Sequence, residues 1–98
     1  MLFAVLFTDN PDHADARQSF MPGHLAFLEK NASRIRAAGP LQDESGAPAG
    51  GLWLVEAADD AAVKALYESD PLWPTGLRRS VRVLRWPQVF ADGKRLVF

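Results

Sequence analysis

His24 and Asp70 are the two side chains of this 98-residue chain whose types best fit proton-transfer chemistry. His24 lies near the start of the first long predicted helix, and Asp70 follows the second predicted helix, directly before a proline. A carboxylate beside an imidazole fixes the imidazole tautomer and suits it to general acid or base catalysis near neutral pH. The same residues also fit a structural role, in which Asp70 caps local backbone and His24 fills the rim of a pocket.

Two further side chains could lie beside this pair, and the second histidine is predicted to lie apart from it. Arg17, seven residues before His24, could supply a cation for an acidic or phenolate ligand, or form a structural ion pair on a solvated helix. Trp73, in the loop after Asp70, could form an aromatic wall of the pocket or simply pack against the core. His13 lies in an Asp-rich stretch and is predicted to be exposed.

Several kinds of site are not supported by the residue types. The chain contains no cysteine, which excludes disulfides, thiolate catalysis and thiolate metal ligands. His13 and His24 have no third ligand at metal-binding spacing, and no glycine-rich phosphate motif occurs. We therefore predict neither a metal site nor a cofactor.

Composition and charge indicate a single folded domain over residues 1–98. The chain is 48% hydrophobic and 23% charged, with a net charge of −1. Because there is no excess of basic residues to neutralise phosphates, nucleic acid and membrane surfaces are not expected partners. The apolar run over residues 1–7 is too short to span a bilayer and lacks the features of a signal peptide. We expect a cytoplasmic protein with a small-molecule ligand.

The first half of the chain predicts a strand followed by helices. Residues 2–8 predict a central strand, and Asp12 is expected to cap a short helical segment that continues to Phe20. A longer helix is predicted over residues 22–38, ended by a left-handed cap at Gly39 and by Pro40. On a helical wheel, His24 lies at the margin of an apolar stripe formed by Met21, Leu25, Leu28, Ala32 and Ile35.

The second half predicts a short extended segment over residues 41–44, a strand over 52–57 and a helix over 59–69 capped by Asp59. A strand over residues 79–86 follows, and residues 89–98 are predicted to form a hairpin with its turn at Asp92-Gly93. The order β-α-β-β-α-β is that of a ferredoxin-like α+β fold, an antiparallel sheet with both helices on one face. In this fold the first helix begins where the second ends, so His24 and Asp70 can lie near each other.

The sheet face without helices is expected to be apolar and therefore covered. We assign to it Phe3, Val5, Phe7, Trp53 and Val55, together with either Val81 and Val83 or Leu84 and Trp86. So many apolar side chains would not remain exposed on a monomer. A homodimer that stacks sheet on sheet in a dimeric α/β-barrel-like association would cover them.

A set of short motifs, in order, resembles the YciI-like (YCII-related) family over residues 1–87. The motifs are Arg17, His24-Leu-Ala-Phe-Leu28, Ala38-Gly-Pro40, Gly51 before Leu52-Trp-Leu-Val-Glu56, Asp70-Pro71-Leu72, Gly76-Leu77 and Arg85-Trp86. The resemblance implies a ferredoxin-like fold, a dimer, and a pocket whose His–Asp pair, His24 and Asp70 here, is proposed as catalytic. One member is known as a dehydrochlorinase of a chlorinated aromatic diol, and the fold resembles muconolactone isomerases and small-molecule monooxygenases. Residues 88–98 exceed the family pattern and could form an arm that wraps a partner subunit.

Two classes of function stay open at this point. The first is a cofactor-independent enzyme of lyase or isomerase type, in which His24 moves a proton, Asp70 orients it and Arg17 holds an anionic group of a cyclic or phenolic substrate. The second is a non-catalytic dimeric module that binds a small ligand or another protein. A haem-associated or monooxygenase role rests on fold analogy alone.

Overall fold

The first strand organises the sheet, because it pairs with a strand at each of its edges. The computed structural model of the protein describes residues 1–97. Its main elements are β1 (Leu2–Asp9), α1 (Asp15–Ser19), α2 (Met21–Lys30), β2 (Ile35–Gln42), β3 (Pro48–Glu56), α3 (Asp60–Glu68), β4 (Arg78–Arg85), β5 (Phe90–Ala91) and β6 (Lys94–Arg95). The four-stranded antiparallel sheet has the order β2-β3-β1-β4, so β1 is an inner strand, and the predicted ferredoxin-like α+β class is confirmed.

The core lies between the helices and one face of this sheet. Phe3 pairs with Val55 and Val5 with Trp53 across β1 and β3, and all four side chains are buried. Residues from α2 and α3 pack on them, namely Phe27, Leu28, Val63, Leu66 and Tyr67. Our assignment of these sheet residues to the face without helices was therefore wrong, because strand alternation alone does not say which face the helices cover.

The opposite face of the sheet carries the alternate residues of the same strands. Its apolar residues are Leu2, Ala4, Leu6, Leu52, Leu54 and Leu84, with the charged Glu56 and Arg82 beside them, and we call it the open face. The first five are partly buried by their neighbours within the sheet, whereas Leu84 is 41% exposed. Of the residues predicted for this face, Leu84 lies on it, whereas Phe3, Val5, Phe7, Trp53 and Val55 lie on the face that the helices cover.

The first half of the second strand, residues 35–38, was predicted as helix, whereas residues 41–42 are extended as predicted. Helix α2 ends at Lys30, ten residues into the periodic pattern, and the chain then turns into β2. The side-chain amide of Asn31 donates to the carbonyl of Phe27 at 2.8 Å, which helps to end the helix. Gly39 pairs with Leu52 of β3 instead of forming a left-handed cap. The apolar helical stripe was consequently also wrong, because pairing with β3 outweighs the local helical preference.

The two helix-cap predictions have opposite outcomes. Asn10, and not Asp12, is the cap: its side chain accepts a hydrogen bond from the Asp12 N–H and opens a 3-10 turn at Pro11–His13. Asp59 caps α3 as predicted, accepting from the Ala62 N–H at 2.9 Å.

The end of the chain forms a small hairpin outside the main sheet. Strands β5 and β6 pair through Phe90 with Arg95 and Ala91 with Lys94. Asp92 and Gly93 have φ angles of 54° and 75°, the left-handed conformation of a tight hairpin turn. Phe98, the last residue of the predicted hairpin, lies outside the described residues. Within residues 1–97, none of the helices has the length and apolar character needed to cross a bilayer.

Candidate active site

His24 and Asp70 lie in contact beneath the ends of two helices. Helix α2 carries His24 near its N-terminus, and Asp70 occupies the turn after α3. The Nδ1 atom of His24 lies 2.9 Å from Oδ1 and 2.8 Å from Oδ2 of Asp70. Both residues are buried, with exposures of 6% and 3%. At these distances the imidazole and the carboxylate form a charge-assisted hydrogen bond.

Asp70 is held by the backbone of its own turn. Its Oδ1 accepts the N–H of Leu72 at 3.0 Å, and its carbonyl accepts the N–H of Trp73 at 2.9 Å. An ionised carboxylate only accepts hydrogen bonds, so the bond to His24 requires the proton on Nδ1. In the neutral imidazole, Nε2 then carries the free lone pair.

The free edge of His24 faces a small cavity. The imidazole stacks on the Trp53 ring, with centroids 6.2 Å apart and planes inclined by 30°. The cavity has a volume of about 120 Å³ and apolar walls that include Met21, Leu28 and Pro40. Nε2 of His24 has no hydrogen-bond partner in the protein. Within residues 1–97, no fully buried side-chain nitrogen or oxygen is left without such a partner, so Nε2 is not fully buried. Nε2 therefore reaches accessible space, which places a free nitrogen base at the cavity.

Two arginines form the charged part of the same cavity wall. Arg78 begins β4 opposite Asp9 at the end of β1, and its Nη1 lies 3.0 Å from Oδ1 of Asp9. Arg17 from α1 pairs with the other oxygen of this carboxylate. Burial lowers the pKa of Arg78 and the nearby Asp9 opposes that shift, but a guanidinium is basic enough to stay charged.

A larger cleft lies on the other side of Arg17. It has a volume of about 480 Å³, and its walls include Asn10, Pro48 and Leu77 as well as Asp9 and Arg17. Arg17 is 26% exposed and contributes to both the cleft and the small cavity. The two spaces are therefore neighbours that share Arg17 in their walls.

The structure brings together three of the four predicted site residues. His24 and Arg17 line the cavity, and Asp70 holds His24 from behind. Trp73 is not part of the cavity wall; its ring packs 4.9 Å from that of Tyr67, against the core. Within residues 1–97, no group of three His, Cys, Asp or Glu side chains is arranged to hold a metal ion. His13 is exposed, as predicted.

Three residues of the site were not predicted from the sequence, namely Asp9, Trp53 and Arg78. The signal for the first and last of these was present, because charged residues at the end of one apolar strand and the start of another meet when the strands are antiparallel neighbours. Trp53 was assigned to the wrong face of the sheet and so was not considered as a partner of His24.

Comparisons with known proteins give a family match and similar solved structures. The model of the family described as YCII-related domain matches residues 1–87. The chain is similar to a solved structure of 5-chloro-2-hydroxyhydroquinone dehydrochlorinase (TftG) from Burkholderia phenoliruptrix in complex with 2,5-dihydroxybenzoquinone. Identity is 28% and the TM-score is 0.76, over 88% of this chain and 93% of the other.

A second solved structure shares the fold alone. It is a NIPSNAP domain protein from Burkholderia xenovorans, with 16% identity and a TM-score of 0.51 over 94% of this chain and 99% of that one. No curated protein gives a significant match.

Proposed function

The chain belongs to the YCII-related domain family, and on this premise we propose that it is a small-molecule enzyme in which His24 transfers a proton. The observation that carries the proposal is the position of Nε2, a free nitrogen base at a cavity, with Nδ1 held by the buried carboxylate of Asp70. General acid or base catalysis of this kind contributes roughly 10²–10⁴-fold to a rate. It requires no group beyond these side chains.

The substrate class that we propose is a ring compound with hydroxyl or carbonyl oxygens. The similar structure is that of a dehydrochlorinase of a chlorinated hydroxyhydroquinone, bound to a dihydroxybenzoquinone. A cavity of about 120 Å³ is in the size range that holds one benzene-sized ring. Both arguments favour a single six-membered ring over a larger ligand.

The proposed step transfers one proton from the substrate to Nε2 of His24. The electron pair left behind forms a new double bond, and either a leaving group departs with its electrons or the proton returns at another carbon. The first outcome is an elimination and the second an isomerisation. The imidazolium formed is stabilised by Asp70, which stays ionised and keeps the ring oriented. Arg17 would attract an anionic group of the substrate, and Trp73 would support the turn that carries Asp70.

Activity assays with His24→Gln test the proposal, using substituted hydroquinones and small lactones as substrates. Loss of the base should lower kcat/KM by about 10²-fold or more without unfolding the protein. His13→Gln is the matched control, because His13 is exposed and away from the cavity. If His24→Gln retains the wild-type rate on a substrate that the protein converts, proton transfer by His24 is wrong.

We also propose that the protein is a cytoplasmic homodimer that pairs through the open face. Leu84 and Trp86 are 41% and 43% exposed at one side of that face, and the hairpin adds the exposed Val89 and Phe90 next to it in the chain. A second copy would cover these side chains, with the hairpin as an arm across the partner. Light scattering coupled to size-exclusion chromatography measures the mass; a monomer at micromolar concentration would contradict the dimer.

One observation favours a second function, that of a non-catalytic ligand-binding or interaction module. Asp70 accepts the Leu72 N–H in addition to its bond with His24, so the pair also stabilises the turn. In a purely structural role, Asp70→Asn would lower the melting temperature, and phenols and lactones would leave the NMR signals of His24 unchanged. Conversion of a phenol or lactone by the protein, and not binding alone, would instead favour the enzyme.

A further inference from the structure

Arg78 is the most deeply buried cation that lines the cavity, and neither motif nor comparison assigns it a role. We propose that Arg78 is a ligand-binding residue that holds a ring-bound oxygen anion, a phenolate or an enolate, while His24 acts on the same ring. The inference rests on the proposed function and names the charge state of its substrate. The fixed positive charge of the site is then that of the buried Arg78 and not that of the partly exposed Arg17.

The guanidinium of Arg78 is fixed on three sides. Its central carbon lies 4.3 Å from the centroid of the Phe7 ring, a cation–π contact, and its Nη1 bonds Asp9. Gly51 leaves room for it, because a Cβ atom at that position would lie 3.1 Å from Nη1. With 4% of the side chain exposed, the group is positioned before any ligand arrives.

Arg78 keeps hydrogen-bond donors that the protein does not use. A guanidinium has five N–H donors, and the bond to Asp9 uses Nη1. Nε and Nη2 of Arg78 have no acceptor in the protein. Since no fully buried side-chain nitrogen within residues 1–97 lacks a hydrogen-bond partner, these two nitrogens are not fully buried. These two nitrogens therefore border accessible space, and the cavity of His24 is the space that Arg78 lines.

The charge at the cavity wall favours an anion. Arg17 and Arg78 both line it, whereas neither Asp9 nor Asp70 does. Arg17 and Arg78 both pair with Asp9, so these three side chains together carry one net positive charge. Asp70 lies behind the imidazole and is occupied by His24. A ring with an ionised oxygen would therefore bind more tightly here than the same ring without charge.

Binding of 4-nitrophenol tests this inference, because its absorbance distinguishes the phenol from the phenolate. At a pH where both forms are present, the wild-type protein should increase the phenolate fraction. Nitrobenzene, a neutral ring of similar size, should bind roughly 10-fold or more weakly in a competition measurement. Equal affinity for the two rings would overturn the inference without any variant.

Variants then assign the charge to Arg78. Arg78→Met should weaken phenolate binding roughly 10- to 100-fold, the range expected when a hydrogen bond to a charged group is lost. Arg79→Met removes an exposed arginine from the same strand and is the matched control. If Arg78→Met does not fold, Arg78→Lys keeps the charge but not the planar fork, and should weaken binding by a smaller factor.

His24→Gln separates this inference from the proposed function. Turnover should be lost while the phenolate still binds, since the anion contacts Arg78. Phenolate binding that needs His24 but not Arg78 would overturn the inference and leave proton transfer by His24 intact. Phenolate binding that depends on Arg78, in a protein that converts no ring substrate, would support the inference and contradict the enzyme.

Discussion

The substitution Asp70→Asn separates orientation of the imidazole from stability of the turn. The oxygen that accepts the Leu72 N–H must remain an acceptor, so the asparagine carbonyl takes the place of Oδ1. Its NH₂ group then takes the place of Oδ2, 2.8 Å from Nδ1 of His24. Nδ1 also lies 2.9 Å from the retained oxygen, which already accepts the Leu72 N–H. Because the closer NH₂ group only donates, it disfavours a proton on Nδ1, and we expect the proton to move to Nε2. The cavity then faces an N–H donor instead of a free lone pair.

The free energy of unfolding of each variant depends on which hydrogen bonds of residue 70 are kept. A hydrogen bond to a charged group contributes about 1.5–3 kcal/mol and a neutral one about 0.5–1.5, so Asp70→Asn should cost about 1 kcal/mol. In a domain of this size, that lowers the melting temperature by about 4–8 °C. Asp70→Ala leaves the N–H groups of His24 and Leu72 buried without acceptors, at about 1–3 kcal/mol each, and should cost about 2–6 kcal/mol.

The assay combines ¹⁵N NMR of the imidazoles with thermal unfolding. In the wild type, the ¹⁵N shifts of His24 should show the proton on Nδ1, and in Asp70→Asn on Nε2, with His13 as the internal reference. Activity should fall by about 10²–10⁴-fold despite the small loss of stability. A variant that keeps the wild-type tautomer, or that keeps its activity within about threefold, would refute the orienting role of Asp70.

Three further predictions concern the scaffold. Gly50→Ala should cost at least about 2 kcal/mol in urea unfolding, because φ is +101° and the added Cβ would lie 2.1 Å from the carbonyl oxygen of Phe7. Gly39→Ala, with nothing within 4 Å of the new Cβ, should cost less than about 0.5 kcal/mol, and a similar loss in both variants would contradict the steric argument. Leu84→Glu should convert the proposed dimer to a monomer in light scattering; an unchanged dimer mass would exclude pairing through the open face. Burial raises the pKa of Tyr67 above its ordinary value of 10.0, so its contribution to stability is fully present below pH 10 and is lost as the pH rises through the folded-state pKa. Tyr67 is the single tyrosine, so an absorbance titration reports it alone, and Tyr67→Phe should remove this part of the alkaline destabilisation.

The hairpin at the end of the chain distinguishes this protein from its family pattern. The family model ends at residue 87, and the hairpin follows it with Val89 and Phe90, which are 62% and 59% exposed. Such exposure of large apolar side chains is costly in water unless another surface covers them. Deletion of residues 88–98 would show whether the proposed dimer depends on this segment.

Much of the fold could be predicted from local patterns. The apolar run of β1 specified an inner strand, Asp59 specified the start of α3, and the order of the elements specified the ferredoxin-like class. The end of the predicted helix, residues 31–38, could not be predicted in this way. Ala32 and Ile35 fit a helical wheel, but residues 31–34 form a turn and only pairing with β3 decides that residues 35–38 form a strand.

For the candidate site, the sequence by itself determined the types of the reacting groups and their approximate neighbourhood. His24 and Asp70 were identifiable because an imidazole and a carboxylate at helix ends suit proton transfer, and the family resemblance placed them in one pocket. Their distance, the tautomer that follows from it, and the backbone bond that fixes Asp70 came only from the tertiary structure.

The ion pair of Asp9 and Arg78 also depends on the tertiary structure. Asp9 and Arg78 are 69 residues apart, and their positions at strand ends bring them together only if β1 and β4 are antiparallel neighbours. Their contact depends on the register between β1 and β4, and the position of Trp53 under His24 depends on which sheet face the helices cover. Long-range packing sets the strand register and decides which face of the sheet the helices cover, so only the tertiary structure determines them. The chemistry of each residue and the periodicity of helices and strands are already present in the sequence.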